Sequence, residues 1–136
     1  MAANANSELR VVTAAKNLCS YVLMVTSKSP KSFRFTLVSR LQNLSLDIVE
    51  NIYKANEFFV QSKDMQYVQK RLDLRHSALT SVKILAYISL LAREQGCILP
   101  KQYEQISKLV HDCQYLLGAW IKSDKARFKP QIKANT

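Results

Sequence analysis

The chain has 136 residues, with 20 Lys and Arg against 10 Asp and Glu, and only 2 glycines and 3 prolines. Apolar types reach 48% and run along almost its whole length, which argues against disorder, and the scarcity of turn-forming residues argues against a β-fold. A domain of this size buries roughly two-thirds of its unfolded surface, enough for one core, while a net charge of +10 favours an anionic partner over a neutral one, beside the plain reading of a solvated basic surface.

The first periodic segment spans about residues 7–28. Leu9, Val12, Ala15, Cys19, Val22 and Val25 recur at helical steps, and Ser7 is placed to cap the start. Pro30 ends the segment by disfavouring helical geometry at Ser29, and itself suits the first turn of the next helix.

The second segment covers about 32–62, with Phe35, Val38, Leu41, Ser45, Ile48, Ile52, Ala55 and Phe59 on one face. The third covers about 64–95, with Asp64 as a candidate cap and Met65, Val68, Leu72, Leu79, Val82, Ala86 and Leu90 inside. Gly96 is placed to terminate it. The fourth covers about 100–123, and its inner face is Tyr103, Ile106, Val110, Cys113, Leu117 and Trp120. The pattern stops there, so residues 125–136 read as a basic, disordered tail after a bundle spanning 1–124. Short connections make each helix antiparallel to the one before it, giving an all-α, up-down-up-down four-helix bundle.

No catalytic, metal or cofactor motif emerges. His76 and His111 lie in no zinc spacing, and Gly96 and Gly118 are too far apart for a phosphate loop. Asp47 and Glu50 are one turn apart, but Lys54 offers Glu50 an ordinary helical ion pair. Cys19, Cys97 and Cys113 match no disulfide or zinc framework, and their odd number suits a reducing cytoplasm. No apolar run approaches the ~20 residues that span a bilayer, and the N-terminus lacks the pattern of a secretory leader, so the expectation is a cytoplasmic protein without a membrane partner.

The cations form two groups. Lys28, Lys31, Arg34 and Arg40 surround the first turn; Lys63, Lys70, Arg71 and Arg75 open the third segment. Antiparallel order puts them at opposite ends and adds Lys122, Lys125, Arg127, Lys129 and Lys133 to the second. Arg34, Arg40, Lys70, Arg71, Arg75, Lys125, Arg127 and Lys129 are the candidate phosphate contacts, with a solvated face as the alternative. Phe33, Phe35, Tyr67 and Phe128 are interleaved with these charges as possible stacking partners, although Phe35 reads better as core.

Three stretches carry a family resemblance: Ser29-Pro-Lys-Ser-Phe-Arg-Phe35 leading into the 41–52 helix, Leu72-Asp-Leu-Arg-His-Ser-Ala-Leu79, and Leu116-Leu-Gly-Ala-Trp-Ile-Lys122. In this order, over roughly residues 8–125, they resemble the bacterial four-helix-bundle family. That family contains the accessory variability determinants of diversity-generating retroelements and the proteins encoded by 23S rRNA intervening sequences. Pro30, Gly118 and Trp120 would be its structural positions, with Gly118 admitting close helix approach. The resemblance implies a non-enzymatic accessory protein that assembles as a homo-oligomer, a pentamer. It would bind RNA or DNA and a reverse transcriptase in mutagenic retrohoming. The other branch implies an oligomeric protein-interaction module without nucleic-acid binding.

Overall fold

A computed structural model describes the backbone of residues 2–58 and 65–134, and the side chains of residues 8–58 and 66–127. Among the described residues every regular element is helical: α1 (Ala2–Thr26), a 3₁₀ turn (Lys31–Phe33), a π turn (Arg34–Val38), α2 (Ser39–Asn56), α3 (Met65–Glu94) and α4 (Pro100–Ala134). The chain is an all-α four-helix bundle. Helix α1 packs on α2 and α4, and α3 packs on the same two, so the helices follow one another around the core.

Side-chain bonds fix the direction of each helix. Ser29 Oγ donates to the Cys97 carbonyl at 2.8 Å, which places the α1–α2 and α3–α4 connections at one end. Arg71, near the start of α3, meets Asp124 late in α4 and Glu8 early in α1, so those regions share the other end. The order is therefore up-down-up-down.

Helix α1 buries Val11, Ala15, Leu18, Val22 and Val25, steps of three and four that keep one stripe inside. Leu9, assigned to that face from sequence, is 64% exposed. Consecutive apolar residues in Val11-Val12 and Ala14-Ala15 make two adjacent stripes equally periodic, and packing selects the one through Val11 and Leu18. Helix α1 also starts at Ala2, so Ser7 lies within the helix and not at its start.

The second segment is divided. Pro30 adopts extended geometry (φ −58°, ψ 143°), a 3₁₀ turn comes next, and the π turn precedes α2. In the π turn the Ser39 N–H donates to the Arg34 carbonyl five residues back. Phe33 packs against the core, whereas Phe35, expected to be core, is 86% exposed. The wider winding shifts the phase of everything before Val38, so the period read from α2 does not extend backwards to Phe35. Phe59, Lys63, the Asp64 cap and the end of the segment at 62 lie outside the described residues.

Helix α3 ends at Glu94 in the expected way. Gly96 takes φ +78°, the Cys97 N–H donates to the Ala92 carbonyl at 2.8 Å, and the Gly96 N–H donates to the Arg93 carbonyl at 3.1 Å. Helix α4 continues to Ala134, so the backbone of 125–134 is helical and the disordered-tail expectation is corrected. The inward step after Trp120 is Asp124, buried at 2% exposure. A count of apolar residues ends at Trp120, but the helix's inner face does not.

Gly118 does not serve a close approach: a β-carbon there would meet nothing within 4 Å. The two glycines therefore respond oppositely to alanine. Gly118→Ala is expected to raise stability in urea unfolding by roughly 0.5–1 kcal/mol, because only helix propensity changes. Gly96→Ala is expected to lower it by about 1 kcal/mol through its left-handed backbone, although its side is equally open.

Candidate nucleic-acid interface

Two of the arginines assigned to phosphate contact are inside the protein. Arg71 is 2% exposed and Arg75 is 0%. Arg71 donates through Nε to Asp124 at 2.9 Å, through Nη2 to Glu8 at 3.2 Å, and through Nη1 to the carbonyls of Ala55 and Phe58. Arg75 Nη1 donates to the same Asp124 oxygen and to the Trp120 carbonyl. Its guanidinium carbon lies 3.2 Å from the centre of the Trp120 ring, with that of Arg71 at 5.6 Å. Nε and Nη2 of Arg75 have no hydrogen-bond acceptor, so the negative face of the indole is what the stacked guanidinium meets.

The phosphate assignment of Arg71 and Arg75 is therefore corrected: both side chains are buried, with Arg71 held by acceptors of three other helices and Arg75 enclosed by Asp124 and the Trp120 ring, and water does not reach them. Burial pushes the Arg75 guanidinium down to about 9, Asp124 opposing the shift and Arg71 reinforcing it. It stays charged at neutral pH. Trp120, assigned a packing role from sequence, forms one wall of this cluster. Sequence reading missed Glu8 and Asp124 altogether. A signal was present, since Arg75 falls between Leu72 and Leu79 at core spacing and Asp124 falls four residues after Trp120.

The other assigned residues are on the surface. At the α1–α2 turn Lys28, Lys31, Arg34 and Arg40 are all exposed. No acidic residue occurs in the sequence between Glu8 and Asp47, so this whole segment is positive. The α3–α4 connection at the same end brings Arg93 and Lys101 but also Glu94 and Glu104. The positive excess therefore belongs to the turn. Phe35 stands among those cations, and an exposed phenylalanine forgoes about 2 kcal/mol of burial. Pro30, exposed and extended, sets the direction of the turn, and Phe33 anchors it from beneath.

At the opposite end Lys70, Lys122, Lys125 and Arg127 are exposed, the last three on α4. The backbone of Lys129 continues that helix, and its side chain, like those of Phe128 and Lys133, lies outside the described residues. Asp73 and Glu57 are exposed on the neighbouring helices and dilute the charge. The ends thus differ: one carries a turn whose charged residues are all cations, and at the other cations and acids are mixed.

Lys54 pairs with Glu50 at 3.2 Å, as the spacing indicated, and His76 and His111 face solvent. All three cysteines are free and buried; burial, reinforced by Asp112, pushes the Cys113 thiol up to about 12. Among the described residues no group of three His, Cys, Asp or Glu side chains is placed to hold a metal. No protein-family model matches the chain, and no curated protein matches it.

Three outcomes test this description. Asp124→Ala removes the carboxylate that Arg75 pairs with and one of the two that Arg71 pairs with, and is expected to cost about 3–5 kcal/mol in denaturant unfolding. Joint replacement by Arg71→Met, Arg75→Leu and Asp124→Leu is expected to cost far less than Asp124→Ala alone. Thiol titration should find Cys113 inert in the native protein and reactive only once the chain is unfolded.

Proposed function

We propose that this protein is a non-enzymatic accessory subunit that binds nucleic acid through its α1–α2 turn. The observation that carries the reading is the cluster of Lys28, Lys31, Arg34 and Arg40, all exposed in a stretch of chain free of acids. Each phosphate neutralised by such a residue releases condensed counterions, which supplies affinity without sequence specificity. Lys70, Lys125 and Arg127 add a weaker second contact at the far end. The resemblance to the accessory variability determinants supplies the context: a cytoplasmic homo-oligomer, pentameric by that likeness, that works with a reverse transcriptase on RNA or DNA in a diversity-generating retroelement.

A second reading has one observation in its favour. Cys19, Leu46, Val49 and Tyr53 line an apolar groove between α1 and α2, with Leu46 and Tyr53 exposed. Such a surface suits protein contact, as in an oligomeric bundle of the intervening-sequence type. No helix among the described residues is long and apolar enough to cross a membrane.

Binding of the purified protein to RNA and to duplex DNA across a salt series separates the two. The first reading is expected to give a linear log–log decline with a slope of about −3 to −4, as for four phosphate contacts. Arg34→Glu with Arg40→Glu should weaken binding about tenfold or more and flatten that slope. Self-association with no affinity for nucleic acid at low salt would instead establish the second.

A further inference from the structure

Phe35 is 86% exposed, and its surroundings set it apart from the other exposed aromatic residues. Tyr53 stands one turn from Glu50 and Glu57, and Tyr115 one turn from Asp112, while Tyr87 has Lys83 as the one charged residue within a turn of it in sequence. Those acids repel a phosphate backbone. Each tyrosine also carries a hydroxyl that water satisfies. Phe35 has no polar side-chain atom and no nearby acid in sequence, and Lys31, Arg34 and Arg40, within five residues of it in the chain, are exposed as well.

Its position is held from below. Phe33 and Val38, on either side of it, turn inward to the core, and the Ser39 N–H closes the π turn onto the Arg34 carbonyl. Thr26 and Gln42 brace the same turn, Gln42 Nε2 donating to Thr26 Oγ1 at 2.9 Å. Phe35 is thus presented by a fixed backbone. π turns of this kind are rare and occur frequently at functional sites.

A flat, exposed apolar ring in a turn whose charged residues are all cations matches one chemistry closely. An unpaired nucleobase offers a π face to stack on the ring, while its flanking phosphates meet the cations. A base within a duplex has both faces covered by its neighbours and cannot do so. We infer that the α1–α2 turn is a stacking platform for single-stranded nucleic acid, with Phe35 receiving an unpaired base and Lys31, Arg34 and Arg40 holding the adjoining phosphates. This inference rests on the proposed nucleic-acid-binding function and specifies the strand state that its site takes.

The test is fluorescence anisotropy with a labelled RNA strand of about 12 nucleotides, the same strand with abasic positions, and its blunt duplex. The single strand is expected to bind the wild-type protein more tightly than the abasic strand. Phe35→Ala should weaken single-strand binding by about 5- to 100-fold and duplex binding by less than about twofold, with no further loss on the abasic strand. Phe35→Trp should retain single-strand affinity. Equal affinity of the wild-type protein for normal and abasic strands would overturn the stacking platform, and that comparison needs no variant to fold. Equal losses on strand and duplex in Phe35→Ala would overturn it as well. Salt-dependent binding that ignores Phe35 would leave the basic turn as a phosphate site alone, whereas binding to none of the three probes would remove the proposed function itself.

Discussion

The bundle depends on a small set of charges that have been taken out of water together. Arg71 reaches α1 through Glu8, α2 through the Ala55 carbonyl and α4 through Asp124, while belonging itself to α3. One side chain therefore touches all four helices. Arg75 and Trp120 complete the group by stacking beneath it. Desolvating two guanidiniums is costly, and only near-complete pairing makes it tolerable. The lowered proton affinity of Arg75 shows that the pairing does not fully offset burial.

The opposite end is joined by lighter means. Ser29 bonds across to Cys97, Gln42 to Thr26, and the Gly96 turn closes α3. None of these bonds engages a charged group, so the cations of the turn remain outside and unpaired with any acid of their own segment. The molecule thus separates two uses of arginine. At one end guanidiniums are consumed in holding helices together; at the other they are presented to solvent. Net charge counts both equally and cannot tell them apart.

That separation explains what was legible in the sequence. The helical period carried the architecture because Val22, Ile48, Val82 and Val110 repeat at core spacing and the connections are short. Pro30 located the first turn. Three things were hidden for physical reasons. A hydrophobic scale scores Arg75 and Asp124 as surface, although the two are buried as a pair. A strict 3.6-residue count carried through the π turn puts Phe35 inside, although the wider winding turns it out. Gly118 reads as a packing contact, although no neighbouring helix comes near it.

Apolar stripes are forgiving about alignment. A slide of one full turn between two helices brings leucine against valine again and leaves much of the greasy surface matched. Asp124 removes that freedom. A slide of one residue along α4 swings its carboxylate by about 100° around the helix axis, and a slide of a full turn carries it about 5 Å along it. Either movement strands Arg75 and takes from Arg71 one of its two carboxylates. The ion cluster therefore acts as an alignment key: it distinguishes the native setting of α4 from neighbouring ones that an all-apolar interior would accept at nearly equal energy.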